Sequence, residues 1–181
     1  MRLSETRLEG LYLVELDLIE DARGAFARSF CRDEFEAAGI EFSVVQANIS
    51  FNRFAGTLRG MHLQKEPHAE AKIVRCTRGA LFDVAIDLRP GSDTFCEWYG
   101  TELNAENRRA LFIPEGFAHG FQTLTDDTEA HYLMSEPYAP EAATGVRFDD
   151  PAFGIEWPMD VASISDKDRS WPNFGREAQP R

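Results

Sequence analysis

The chain has 181 residues, enough to bury a sizeable core as one domain without help from disulfides or metals. Its 19 Lys and Arg against 31 Asp and Glu leave a net charge of −12, which repels nucleic acid and anionic membranes at long range and sets both aside as partners. Cys31, Cys76 and Cys96 are odd in number and lack a C-x-x-C spacing, no apolar run approaches the roughly 20 residues that span a bilayer, and the first ten residues lack the apolar stretch of a signal peptide, so the expectation is reduced thiols in a cytoplasmic protein.

In chain order, L-Y-L-V-E-L-D-L from Leu11 to Leu18 reads as a strand with Tyr12, Val14, Leu16 and Leu18 on one face, closed by the turn signal E-D-A-R-G. A second strand begins near Ala25. Asp33 to Ala38 is the one helix candidate, acidic in its first turn and stopped by Gly39. From Phe42 to Phe51 the residues alternate, with Gln46, Asn48 and Ser50 on one face and Val45, Ala47, Ile49 and Phe51 on the other. Further strands are predicted over Thr57–Gln64, Ala71–Thr77, Ala80–Leu88, Glu97–Leu103, Ala110–Ile113, Phe121–Leu124 and Glu129–Met134, each bounded by turn formers. Short strands at this spacing, with no long helical pattern between them, predict a mainly β antiparallel sandwich or jelly roll with little helix. The stretch from Asp149 is loop-like, and its Trp157 and Trp171 are expected to pack back on the body, leaving only R-E-A-Q-P-R at 176–181 as a disordered tail.

Chemistry concentrates in two segments. R-G-M-H-L-Q-K-E-P-H-A-E-A-K, Arg59 to Lys72, gathers an imidazole that titrates near neutral pH (His62), a guanidinium that forks onto phosphate (Arg59) and an ammonium that stabilises an oxyanion (Lys72). With Arg75 it forms a basic cluster in an acidic chain, suited to an anionic small molecule. I-P-E-G-F-A-H-G-F, Ile113 to Phe121, sets His119 between glycines and aromatics, where a loop brings a side chain to the mouth of a pocket. Alone, a histidine in a β protein is more often structural than catalytic, Tyr132 reads equally as a cross-strand packing residue, and Asp168 in D-K-D-R reads as a surface charge. His68 and His131 read as surface or packing residues.

Taken together, Q-A-N-I-S at Gln46, G-T-L-R-G-M-H-L-Q at Gly56, K-I-V-R-C at Lys72, F-D-V-A-I-D-L-R at Phe82, the segment at Ile113 and D-D-P-A-F-G-I-E-W-P at Asp149 resemble the dTDP-4-dehydrorhamnose 3,5-epimerase family over nearly the whole chain. The resemblance implies a cupin jelly roll that exchanges strands across a homodimer. It implies a nucleotide-diphosphate 4-keto-6-deoxy sugar as substrate, epimerised at C3, C5 or both without a cofactor or metal. Carried onto this chain, it makes His62 the general base, Asp168 the carboxylate that orients it, Tyr132 the acid on the opposite face, with Tyr138 as the competing candidate, and Lys72 the donor to the enolate. Arg23, Arg59, Gln46, Asn48 and His119 resemble the substrate-contacting set, and Phe26 and Phe121 the lining of the sugar or base pocket. Two positions depart from the family pattern: Arg28 and Ala143 both stand where a glutamate is usual, which opens CDP- or GDP-linked sugars as alternatives. A single-carbon epimerase or a 3,4-ketoisomerase uses the same enolate. A metal-dependent cupin needs a His-x-His pair, and here Gln64 occupies the second position, leaving His68, Glu70 and His119 without that partner.

Overall fold

The structure, a computed structural model, describes residues 1–175. Its strands are β1 (Arg2–Glu5), β2 (Tyr12–Glu15), β3 (Ile19–Asp21), β4 (Gly24–Phe26), β5 (Gln46–Asn52), β6 (Leu58–Gln64), β7 (Lys72–Arg78), β8 (Ala80–Asp87), β9 (Trp98–Asn104), β10 (Ala110–Ile113), β11 (Phe117–Thr123), β12 (Thr128–Met134) and β13 (Ala143–Gly145). Two short helices, α1 (Arg32–Ala37) and α2 (Asp166–Arg169), complete the set. A six-stranded sheet ordered β1-β2-β10-β7-β12-β5 faces a five-stranded sheet ordered β13-β6-β11-β8-β9, and every pairing between the named strands is antiparallel. This is the expected mainly β jelly roll. The hairpin β3–β4 forms a two-stranded sheet of its own.

Period-two alternation decides what each sheet buries. Inward residues such as Val74, Leu81, Leu103, Leu111, Phe117 and Phe121 interdigitate between the sheets. The outer face of the larger sheet is closed by α1, whose Phe35 packs on Phe42, Ile73 and Phe112. Burying that ring contributes about 1.5–3 kcal/mol. Gly39, at φ 79° just past the helix, ends it in the left-handed conformation that a side chain disfavours. The outer face of the smaller sheet is covered by the segment that follows β13, through Phe153 and Trp157 on Met61, Val84 and Ile86. Trp157 is tied by its indole N–H to the Phe148 carbonyl at 2.9 Å, and the Trp171 ring lies against Gly145, so both tryptophans pack back as expected.

Several boundaries differ from the expected ones. The strand at Leu11–Leu18 stops at Glu15, because its neighbour β1 runs out at Arg2 opposite that residue. Leu18 is left exposed. The strand expected at Phe121–Leu124 begins four residues earlier, at Phe117, so His119 is a buried strand residue and not part of a loop. Glycine misleads there: Gly120 serves close packing, since a Cβ on it would lie 2.5 Å from Met61 Sδ. β1, β13 and α2 are too short to register as periodic patterns. The tail R-E-A-Q-P-R lies outside the described residues. No helix among the described residues is long and apolar enough to cross a membrane.

Candidate active site

One irregularity in β6 assembles the site. On β11, His119 and Phe121 are two residues apart and share the inner face, while their partners on β6 are His62 and Arg59, three residues apart. One extra residue in β6 therefore faces Gly120, a β-bulge. In a regular strand, positions 59 and 62 point to opposite faces. The bulge brings both into the space between the sheets. Gly60 permits it with φ 127°, and a Cβ there would meet Gly120 Cα at 2.5 Å.

The opposite wall comes from the larger sheet by simple alternation. Gln46, Met134 and Lys72 form one cross-strand row over β5, β12 and β7, and Asn48, Tyr132 and Val74 form the next. The two walls enclose a cleft of two adjoining lobes that share Asn48, His62 and Met134. The smaller lobe, about 280 Å³, is lined by Arg59, His62, Lys72, His119, Phe121 and Tyr132 among others. The larger, about 420 Å³, is lined by Gln46, Glu70, Glu136, Tyr138, Ala143 and Lys167 among others.

His62 stands half-exposed in the cleft with Nε2 2.6 Å from Asp168 Oδ1. Asp168, far from being a surface charge, is 5% exposed. Ser165 caps α2 by accepting from the Asp168 backbone N–H at 3.1 Å, and Asp168 Oδ2 accepts from the Gly60 N–H at 3.3 Å. The carboxylate is thus fixed from two sides before it meets the imidazole. Burial pushes its carboxyl up, but the hydrogen bond and charge of His62 and the Gly60 N–H outweigh that and hold it below the ordinary range. A group lowered on folding contributes stability that is complete above its unfolded pKa, about 3.9, and is lost as pH falls through the folded value. Asp168→Asn is therefore expected to be less stable than the native chain at neutral pH, with the gap closing in acid. Urea melts at about pH 6 and pH 3 check this; an equal gap at both shows that the carboxylate is not linked to folding.

Tyr132 faces this dyad from the other sheet. Burial, then the Asp83 carboxylate, pushes its phenol well above the usual range, so it is protonated at neutral pH. Its ring meets that of His119 edge-on at 6.1 Å. His119 Nε2 lies 2.8 Å from Asp83 Oδ1, a second histidine–carboxylate pair that is buried on both sides. Lys72 Nζ donates to Glu70 Oε1 at 2.8 Å. Arg59 Nε donates to Asn52 Oδ1 at 2.7 Å, and Gln46 Nε2 donates to Asn48 Oδ1 at 3.1 Å.

Of the residues predicted from sequence, His62, Tyr132, Asp168, Lys72, Arg59, Gln46, Asn48, His119 and Phe121 are brought together. Arg23 and Phe26 are not: they sit on the exposed β3–β4 hairpin, with Arg23 paired to Asp21 at 2.6 Å, beside a separate depression lined by that hairpin alone. Arg75 leaves the basic cluster, because it alternates with Lys72 and Val74 onto the outer face, where it donates to the Arg108 and Ser29 carbonyls. Arg28 pairs with Glu34 at 2.6 Å, and Ala143 lines the larger lobe. Tyr138, the competing acid, lines the larger lobe and not the smaller one. Sequence reasoning missed Lys167, which lies beside Asp168 in S-D-K-D and faces the larger lobe. It also missed Gln64, whose amide bonds the His68 and Pro137 carbonyls and the Ala139 N–H, holding two loops at the rim. Among the described residues no group of three or more His, Cys, Asp or Glu is arranged to hold a metal ion; His68 turns to Glu136 at 3.1 Å.

A jelly roll of this order is a cupin-type fold, and its cleft sets a histidine on β6, paired with a carboxylate on α2, across from a phenol on β12. The chain belongs to the dTDP-4-dehydrorhamnose 3,5-epimerase family, whose model matches residues 5–176. The dTDP-4-dehydrorhamnose 3,5-epimerase of Methanothermobacter thermautotrophicus is 45% identical over 173 residues, 94% of this chain and 92% of that protein. The crystal structure of the Elizabethkingia anophelis enzyme of that name superposes with a TM-score of 0.93 at 41% identity, covering 96% of each chain. That of Bacillus anthracis, solved with TDP and PPi bound, gives 0.92 at 40% identity, covering 96% of this chain and 99% of that one.

Proposed function

We propose that the protein epimerises a nucleotide-diphosphate-linked 4-keto-6-deoxyhexose at C3, C5 or both, through an enolate, with the dTDP-linked sugar as its substrate. The observation that carries this is the placement of His62 and Tyr132 on facing sheets of one lobe, with Lys72 on the wall beside Tyr132. The C4 ketone acidifies its neighbouring C–H bonds. His62, oriented by Asp168, takes the proton; the negative charge that develops on the ketone oxygen is met by the Lys72 ammonium; Tyr132 delivers its own proton to the carbon from the opposite face. Inversion needs both groups, since a single base returns the proton to the face it came from. His119, pinned by Asp83, stands beside Tyr132 and contacts the sugar.

Arg59 suits the diphosphate, and Gln46 and Asn48 suit polar atoms of the sugar or nucleotide. The whole chain works as one catalytic domain, doubled in a homodimer. β5 is an edge strand whose outward Ile49 and Phe51 are exposed to 65% and 45%, Val45 just before it is exposed to 54%, and the hairpin adds Ile19 and Phe26 at 69% and 71%. Apolar side chains in that number on an open edge suit burial against a second copy. In such a dimer the hairpin of one copy brings Arg23 and Phe26 to the cleft of the other.

Incubation with dTDP-4-keto-6-deoxyglucose in D₂O, followed by NMR of the product, tests the reading. Deuterium is expected at the inverted carbon or carbons. CDP- and GDP-linked analogues run in parallel identify the nucleotide, and no incorporation into any of them refutes the proposal.

A further inference from the structure

The Lys72–Glu70 pair is built in a way that stability alone does not favour. Both side chains are nearly inaccessible, at 6% and 5% exposed, and their single bond is 2.8 Å. Glu70 Oε2 is buried with no hydrogen-bond partner among the described residues. A carboxylate oxygen left so carries a desolvation cost that no bond offsets, and a buried ion pair is often no more stable than apolar residues of the same volume. The surroundings add repulsion. Burial first, and then Glu66, Glu136 and Glu70, push the Glu115 carboxyl above its ordinary value, which shows how many carboxylates crowd this corner. A neutral residue at position 70 would relieve all of this.

Lys72 explains why a charge stands there. Its ammonium shares the smaller lobe with Arg59 and His62 from β6, His119 from β11 and Tyr132 from β12. Its cross-strand neighbours on β10 and β12 are the uncharged Ile113 and Met134. The carboxylate of Glu70 is the group to which Nζ donates, and it holds the ammonium at the lobe. Glu70 also borders the larger lobe, on the far side of Lys72 from Tyr132.

We propose that Glu70 is a positioning residue: its buried carboxylate holds the Lys72 ammonium against the lobe shared by His62 and Tyr132. The proposal rests on the reading of Lys72 as the donor to the developing oxyanion. It differs from a structural role in one respect: it requires the charge of Glu70 to act on Lys72, so that removing the charge alone is felt at that ammonium.

Glu70→Gln keeps the shape and an acceptor oxygen while removing the charge. The ¹³Cε NMR titration of Lys72 reads the ammonium with no substrate present. Its midpoint is expected to fall by about one to three pH units in the variant. The alkaline limb of kcat should move down with it, a loss of about tenfold per unit at pH above the new midpoint. KM should change little, because the oxyanion exists only in the transition state. Glu70→Asp keeps the charge with a shorter reach and should fall between the two proteins; it carries the test if the glutamine variant does not fold. An unchanged Lys72 midpoint overturns the role of Glu70 whatever the turnover. A shifted midpoint in a protein that exchanges no deuterium into any 4-keto nucleotide sugar upholds the coupling and removes the epimerase reading.

Discussion

His62→Asn is expected to lower kcat by about 10²–10⁴-fold, the usual worth of a positioned general base, with KM little changed. Asparagine preserves a polar, hydrogen-bonding side chain beside Asp168, so the cleft should keep its shape while losing the imidazole that accepts the proton. The loss should appear in both measurable processes, conversion of the keto-sugar and entry of solvent deuterium at the carbon beside the ketone. Removal of the proton precedes everything else, so no later step restores exchange. A variant that still washes in deuterium at the native rate would show that another group is the base, and His119 would be the first to test, since it lines the same lobe.

Tyr132→Phe should separate the two processes that His62→Asn abolishes together. Without the phenol the proposed second-face acid is gone, and net inversion is expected to fall by about 10²-fold or more. His62 nevertheless remains opposite, able to take the proton and to return one from the face it left. Solvent deuterium should therefore still enter the starting sugar without change of configuration. Product NMR in D₂O distinguishes labelled, uninverted sugar from labelled, inverted sugar. Equal loss of both would mean that Tyr132 supports enolate formation itself and does not serve as the second-face acid. The raised phenol pKa suits this role, because it keeps the donor form at neutral pH.

Much of this molecule is readable in the chain because its strands obey alternation. β7, β8, β9, β10 and β12 begin and end close to where the pattern places them, while β5 ends there but starts at Gln46, four residues after the expected Phe42. Alternation leaves open which side of β5 turns inward. The polar side does, and the apolar residues Ile49 and Phe51 face outward, the reverse of an ordinary half-buried strand. What escapes a sequence reading has a physical cause in each case. The first half of β11 is hidden because Gly116 and Gly120 look like turn formers, whereas Gly120 is there to let Met61 and the Arg59 carbonyl approach. Arg75 joins Lys72 in a linear reading and parts from it once the strand's two faces are distinguished. The partnership of His62 with Asp168, 106 residues away, was legible only through resemblance, since no local rule connects a β-bulge to a four-residue helix.

That bulge also sets a length. Because Arg59 and His62 emerge on one side of the same strand from positions on either side of Gly60 and Met61, the spacing of the points where the guanidinium and imidazole side chains leave the backbone is measured out by main chain. On the proposed reading the cleft works as a caliper, with one jaw on the phosphates and the other on a ring carbon. A free keto-sugar, lacking anything for the first jaw to hold, should drift at the second and lose turnover as well as affinity.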